Sequence, residues 1–379
     1  MKPKICFVVA VPGTAISFLR DHIKSLSEFF DVYLAGSIKS DDEIKELELK
    51  GWHHIDIERQ ISIKNDLKAV AQLTRYFKSM KFEAVHSVTP KAGLVTAIAA
   101  KLAGVKHRIH IFTGQVWATQ SGAMRFMLKS LDKVIARLDN HILTDGESQR
   151  QFLIGEGVVS DSKSRVLGAG SICGANTVRF NPSDSERKKQ RAALNLADEK
   201  VVFTFMGRMN SEKGLFELLA AFNGIVHECP NAFLLLFGRD EGGIQNSFKN
   251  YPNIKEGKNF MYYGATATPQ LSLQAGDVFC LPSYREGFGM SVVEASCLGL
   301  PVICSDAYGL ADTMVDNETG LRCQVKDVES LRKAMIYMYD HPEERKRMGG
   351  NGRERVLELF AGEKIVAEWV KFYREILPN

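Results

Sequence analysis

The chain lacks any long hydrophobic run. Of its 379 residues, 45% are hydrophobic, yet no stretch approaches the roughly 18–20 consecutive apolar residues of a spanning helix. The longest candidate, Gly93 to Val105, is interrupted by Lys101. A membrane would therefore be met from its surface. The apolar ICFVVAV behind Lys2 and Lys4 resembles a short signal segment, but it stops at Pro12-Gly13 without a small-residue cleavage pattern and predicts a first buried strand instead. Paired cysteines are missing too. Cys6, Cys173, Cys229, Cys280, Cys297, Cys304 and Cys323 are scattered, with no CxxC and no zinc spacing. They read as reduced core residues of a cytosolic protein.

Strong net charge is also absent, at +4, but the charge is unevenly placed. Residues 1–170 carry 24 Lys and Arg against 18 Asp and Glu, and the remainder carries 25 against 27. There is no dense basic run or reading module of the kind nucleic acid needs. A mildly basic first half suits an anionic membrane surface or a phosphorylated partner. No G-x-G-x-x-G follows the first strand, where the loop is VPGTAIS, and this argues against a dinucleotide oxidoreductase.

What is present is an alternation of short apolar runs with amphipathic segments, the pattern of parallel strands joined by helices. Strands are expected at Lys4–Val9, Val32–Ala35, Ala84–Ser87, His107–Ile111, His141–Thr144 and Ser164–Leu167. In the second half they are expected at Val201–Met206, Ala232–Phe237, Phe260–Tyr262, Val278–Leu281 and Val302–Cys304. Residues 168–186 are rich in small and turn residues and read as a linker. The fold class is therefore α/β, with two Rossmann-like domains and parallel sheets facing a central cleft. The expected boundaries are 1–172 and 173–359, with a terminal helix of about 360–379 packing back on the first domain. Ligands of such sheets sit beyond the carboxyl ends of the strands, so the loops there hold the candidate site residues.

Two of those loops carry chemistry. Gly207-Arg208-Met209-Asn210-Ser211-Glu212-Lys213-Gly214 follows an apolar strand and offers a guanidinium and an ammonium. Such cations stabilise a leaving group that gains negative charge; the bland alternative is two solvated surface cations. Pro282 to Asp306, PSYREGFGMSVVEASCLGLPVICSD, sets Glu286 and Glu294 eight apart around a glycine-flanked turn and a helix start. Carboxylates there can accept from sugar hydroxyls, while a helix N-terminus favours a phosphate. No Asp-x-Asp occurs anywhere; it is the usual metal clamp on a nucleotide diphosphate, so no metal and no cofactor is expected. The alternative for Glu294 is a plain helix-face carboxylate, although its apolar neighbours would make unpartnered burial costly.

G-R-x-x-x-x-K-G followed by P-S-x-x-E-G-F-G-x-x-x-x-E-A resembles the donor-binding half of the retaining family-4 glycosyltransferases (glycosyl transferases group 1), which have the GT-B fold. HSVTPKAG, His86 to Gly93, also resembles the family. The resemblance implies that Glu286, with Arg208 and Lys213, is catalytic. It implies that Glu294 holds the ribose, and that the backbone of Phe288, Gly289 and Met290 approaches the diphosphate. Gly13, alternatively a plain turn glycine, and Gly207 would allow close approach to the donor, and Arg239, after LLLF, would line the base pocket or equally serve as a domain-closing salt-bridge partner. Asp312 takes the place of a glutamate common in the family. Many members carry a histidine in the loop held here by Thr113-Gly114; His110 stands earlier and reads as a strand residue. Acceptor contacts are assigned to His22, His86, Lys91, Thr113 and Gly114, with Lys91 alternatively a first-turn cation.

The implied activity is transfer of an N-acetylhexosamine or hexose from a UDP-sugar, with retention, to a polyprenyl-diphosphate-linked saccharide. The setting would be bacterial surface-polysaccharide assembly of the capsule or O-antigen kind, peripheral at the inner face of the membrane. Alternatives are a sugar-nucleotide epimerase or phosphorylase on the same fold, or a non-catalytic subunit that binds the nucleotide sugar.

Overall fold

A computed structural model describes residues 2–58 and 62–378. The chain divides into two compact units. One comprises the residues up to Cys173 together with those from Gly362 onward; the other is Gly174–Ala361. Each is a Rossmann-like α/β unit built on one parallel sheet.

The first sheet has seven strands: β1 (Lys4–Val9), β2 (Asp31–Gly36), β3 (Gly51–His54), β4 (Ala84–Val88), β5 (His107–Phe112), β6 (His141–Thr144) and β7 (Ser164–Val166). Their spatial order is β3-β2-β1-β4-β5-β6-β7. The connecting helices include α1 (Pro12–Phe18), α2 (Arg20–Ser27), α3 (Ile63–Met80), α4 (Pro90–Ala103), α5 (Gly122–Leu138) and α6 (Glu147–Gly155). The second sheet has six strands: β8 (Val201–Met206), β9 (Ala232–Phe237), β10 (Phe260–Gly264), β11 (Val278–Leu281), β12 (Val302–Ser305) and β13 (Gly320–Cys323). Their order is β10-β9-β8-β11-β12-β13. Its helices are α7 (Asp184–Ala193), α8 (Leu215–Ile225), α9 (Pro269–Ser272), α10 (Met290–Cys297), α11 (Val328–Asp340) and α12 (Pro342–Arg355). A π-helical turn, Val356–Phe360, leads to α13 (Gly362–Ile376).

Parallel strands covered on both faces read as continuous apolar runs. VVFTFM of β8 and AFLLLF of β9 are buried along almost their whole length. In each unit the strand order reverses beside the first strand, between β1 and β4 and between β8 and β11. Ligands bind at such switch points. In the second unit the loops after β8 and β11 are the two motif loops.

The strands β3 and β13 are additions to what the sequence predicts. Both are four-residue edge strands, GWHH and GLRC, too short and too polar to announce themselves. Pro12–Thr14, expected as a loop, is instead the first turn of α1, with Pro12 in the opening turn where its missing N–H costs nothing.

Helix α13 completes the core of the first unit. Trp369 is fully buried, and its ring stacks on His22 at 4.1 Å and His86 at 5.0 Å between centroids. The Tyr373 hydroxyl lies 2.9 Å from His86 Nδ1. Trp369→Ala is expected to cost about 3–5 kcal/mol, the usual range for deleting a buried aromatic. Urea unfolding of the first unit checks this; a loss under about 1 kcal/mol would mean that α13 is not part of its core.

Candidate functional site

The second unit brings its two motif loops together. Lys213 Nζ makes an ion pair with Glu286 Oε1, and both side chains are largely withdrawn from water, at 19% and 13% exposure. Ser283 Oγ donates to the same carboxylate oxygen at 2.8 Å. The loops are laced at further points. Glu212 O accepts from the Tyr284 amide at 2.8 Å, Arg285 Nη2 donates to Glu212 at 2.7 Å, and the Tyr284 hydroxyl donates to Glu217 at 2.8 Å. Ser283 is the site residue that sequence reasoning passed over, although it stands in the P-S-x-x-E motif.

Local backbone makes this closeness possible. Asn210 caps the turn by accepting from the Lys213 amide at 3.2 Å. Gly214 adopts φ +71°, and a Cβ there would fall 2.0 Å from the Pro282 carbonyl. A side chain would push the two loops apart. Gly309 does the same from the loop after β12: at φ +81°, its added Cβ would meet the Glu286 and Gly287 carbonyls at 2.4 and 2.5 Å. Asp312 lies beyond it, and its carbonyl accepts from Arg355 Nη2 at 3.0 Å.

Beside the pair, Gly289 caps α10 in the left-handed region at φ +68°, and Met290 begins the helix. The first amides of a helix point outward without intrahelical partners. The Phe288 side chain is buried edge-on against Phe360, with ring centroids 5.2 Å apart, so only its backbone is available at the turn. Glu294 is partly buried on α10. Burial pushes its carboxyl up to about 7, opposed by the weaker pull of the Arg179 guanidinium. A carboxyl so placed is poised near neutrality, as functional-site groups often are.

Arg208 departs from the arrangement expected. It does not join Lys213 at Glu286; its side chain is 61% exposed and pairs with Glu241 at 3.3 Å. Gly207 follows β8, its amide donating to the Phe237 carbonyl at 3.1 Å. Arg239 is exposed, and its carbonyl accepts from the Met209 amide at 2.9 Å. Asp240 shapes the loop that follows. Burial would raise its carboxyl, but hydrogen bonds from the Gln245, Ile244 and Gly242 amides hold it below the usual carboxylate range.

In the first unit the structure corrects two acceptor assignments. The imidazoles of His22 and His86 are each only 1% exposed, packed on Trp369, and reach no solvent. His22 Nε2 is 2.7 Å from the Ile172 carbonyl, and burial drives this ring down to about 4. Burial likewise drives His86 well below its ordinary value. They are neutral core residues. Lys91 pairs with Asp66 at 2.6 Å. His110 is a buried strand residue, as expected, with Ser87 Oγ 2.8 Å from its Nδ1. Thr113 and Gly114 do lie in the loop after β5, where the Thr113 carbonyl accepts from Gln115 and Gln149, each at 2.5 Å. Gly13 sits in the first turn of α1, and a Cβ there would meet nothing within 4 Å; packing in the structure does not require glycine at this position. Among the described residues, no group of three or more His, Cys, Asp or Glu is placed to hold a metal ion, and no helix is long and apolar enough to cross a membrane.

Comparison with known proteins gives this geometry a context. Residues 186–355 match the family described as Glycosyl transferases group 1, and residues 4–138 match Glycosyl transferase 4-like. The chain is 28% identical over 380 residues to the capsular polysaccharide biosynthesis glycosyltransferase CapM of Staphylococcus aureus, covering 100% of this chain and 99% of that one. It is 27% identical over 329 residues to the UDP-Gal:alpha-D-GlcNAc-diphosphoundecaprenol alpha-1,3-galactosyltransferase of Escherichia coli, covering 85% and 82%. Among solved structures, Anabaena HepE in complex with UDP and glucose matches with a TM-score of 0.82 at 17% identity, covering 98% and 100%; at that identity the likeness is one of fold.

Lys213→Met would leave the Glu286 carboxylate without its cation in a site mostly closed to water. Breaking one side of a buried pair costs about 3–5 kcal/mol when burial is complete. Partial exposure lowers the expected loss here to about 1–3 kcal/mol. Chemical denaturation of the Lys213→Met and Lys213→Met/Glu286→Gln variants checks this. The double variant should recover part of the loss; no recovery would mean that the two groups do not interact.

Proposed function

The chain belongs to the glycosyl transferases group 1 family, with the GT-B fold, and from that premise we propose a reading of its chemistry in finer terms. This glycosyltransferase of polysaccharide biosynthesis uses a UDP-sugar, an N-acetylhexosamine or hexose donor. It moves the sugar, with retention, to a saccharide carried on a polyprenyl diphosphate at the inner face of the membrane. The observation that carries the proposal is the Lys213–Glu286 pair, held by Ser283 at the β8/β11 switch point.

In this reading the donor diphosphate lies against the amides at Phe288, Gly289 and Met290 and beside Lys213. Arg208 turns from Glu241 to the same phosphates. Glu294 accepts from the ribose hydroxyls, and the Gly238–Arg239 loop borders the base. As the bond between the anomeric carbon and the phosphate oxygen breaks, its electron pair stays with the diphosphate. Lys213, Arg208 and the helix dipole stabilise the growing charge. The acceptor hydroxyl attacks from the face the diphosphate leaves, and its proton passes to a departing phosphate oxygen. Glu286, freed in part from Lys213, accepts from the sugar hydroxyls and orients the ring. Lysine and arginine supply the charge a metal would otherwise bring, so the transfer runs without a divalent ion. The loop at Thr113-Gly114 faces the acceptor. Support for the acceptor class comes from the Escherichia coli relative, whose name specifies a diphosphoundecaprenol-linked sugar.

The test is incubation with UDP-sugars, with and without a polyprenyl-diphosphate-linked saccharide, followed by NMR of the product. Turnover should need the acceptor, survive chelation of divalent ions, and give the donor's own anomeric configuration. Acceptor-independent conversion of the nucleotide sugar, or inversion, would contradict the proposal. Glu294 adds a pH signature. Its raised value means that the free protein holds a proton near pH 7 that hydrogen bonding to the ribose expels. Nucleotide-sugar affinity should therefore rise with pH below about 7 and level off above it, by up to about tenfold per unit at the steep end. A nucleotide sugar is the right probe, since a terminal phosphate titrates near pH 6 itself. Calorimetry of the wild type and Glu294→Gln checks this; the same pH slope in both would remove Glu294 from the ribose.

A further inference from the structure

The first unit holds a cavity of about 380 Å³ between α3, α4, α5 and the turn after β5. Its walls are almost wholly hydrocarbon: Val70, Leu94, Val95, Ile98 and Leu131, with the indole of Trp117. The volume falls within the range of small-molecule sites. The apolar surface does not stop at the mouth. Ile63 and Leu67, which also line the cavity, are 76% and 65% exposed. Contiguous exposed apolar surface of this kind marks an interaction site in a soluble domain.

The lining carries one cation, Lys91, and two acids, Asp66 and Asp132, and further cations lie close by. Helix α5 presents Arg125, Lys129, Lys133 and Arg137, and its single acid, Asp132, is turned inward and accepts from Trp117 Nε1 at 2.7 Å. Arg125 and Lys129 lie over the Trp117 ring, 5.0 and 5.6 Å from its centre, and pair with Glu156. Lys91, in the first turn of α4, lines the cavity beside Asp66. An ammonium has three N–H donors, so the Asp66 contact leaves Lys91 others to offer. The cavity also lies at the ligand end of the sheet. Lys91 closely follows β4, and Val116 and Trp117 follow β5 in the same segment as Thr113 and Gly114.

A flexible hydrocarbon body suits these walls, and the remaining donors of Lys91 suit an anionic head at the end of the cavity. A flat bilayer surface cannot enter a recess of this depth, whereas a single chain can. We propose that this cavity seats the first isoprene units of the acceptor's polyprenyl chain, with its diphosphate drawn to Lys91 and the loops after β4 and β5. This rests on the lipid-linked acceptor of the function proposed above. The rim residues Ile63 and Leu67 then shield the chain on its way to the membrane.

The test compares binding of farnesyl diphosphate and inorganic pyrophosphate to the full chain by calorimetry. Farnesyl diphosphate should bind at least about tenfold tighter. Leu67→Glu at the exposed rim, and Leu94→Trp within the cavity, should each abolish that preference without changing pyrophosphate binding. Both variants should retain kcat/KM for an acceptor whose diphosphate carries only a methyl group, and lose about tenfold or more for the farnesyl-linked acceptor. Equal affinity for the two probes in the wild type would overturn the proposal, as would unchanged farnesyl binding in both variants or equal losses with both acceptors. Binding to phosphatidylglycerol vesicles without any farnesyl preference would overturn it too, leaving a membrane-docking face. Tight farnesyl binding that both variants abolish, in a protein that glycosylates no diphosphate-linked acceptor, would uphold the cavity's role and instead remove the proposed acceptor.

Discussion

Lys213 and Glu286 are 73 residues apart in the chain, and the site depends on their meeting. The constraint is electrostatic and steric at once. A cation and a carboxylate withdrawn from water hold one another, because separating them would leave a charge with poor solvation. They can approach only because Gly214 has no side chain to strike Pro282 and Gly309 none to strike the Glu286 turn. The sheet decides where this happens: β8 and β11 are the neighbours between which the strand order reverses, so their loops open at the same end and diverge around a crevice. The Glu212–Arg285 and Glu217–Tyr284 contacts fix the loops around the pair. The two charged groups are thus assembled beside each other in the free protein, and in the function proposed above the diphosphate draws Lys213 partly away from Glu286.

The same logic distinguishes the residues around the pair. Glu294 is held by α10 where burial makes its carboxylate expensive, and partnering hydroxyls would lower that expense. Arg208 is different in kind. It is exposed and, among the described residues, pairs with Glu241, an interaction of the sort worth about 1 kcal/mol or less, so little energy keeps it from turning toward a phosphate. The site thus combines a fixed cation with a movable one.

Much of this was legible in the sequence, and the portions that were not have identifiable causes. Long apolar runs such as AFLLLF declare buried parallel strands, and glycines flanking charged residues at strand ends declare ligand loops. Lys213 and Glu286 were each readable as site residues because the motifs fix their positions, but their ion pair was not expected. Edge strands GWHH and GLRC escaped because four residues at a sheet margin need carry no apolar run. His22 and His86 were misplaced for a different reason. Histidine is ambiguous by composition, and its burial is decided by α13, nearly three hundred residues beyond β4, which supplies Trp369 and Tyr373. For His86 a hint existed: it lies inside AVHSV, a strand buried at every position, where a polar residue is a core residue. Lys91 could be recognised as a cation at a helix start, which is electrostatically unfavourable alone, but nothing local shows that Asp66, a helix away, compensates it.

The most direct measurement is a crystal structure with an intact, unhydrolysed UDP-sugar bound. The account requires Lys213 Nζ within hydrogen-bond distance of the diphosphate, and the Glu286 carboxylate, still held by Ser283, on the hydroxyls of the transferred sugar. A nucleotide sugar bound elsewhere, or one bound here with Lys213 and Glu286 still closed on each other and touching neither phosphate nor sugar, would contradict it.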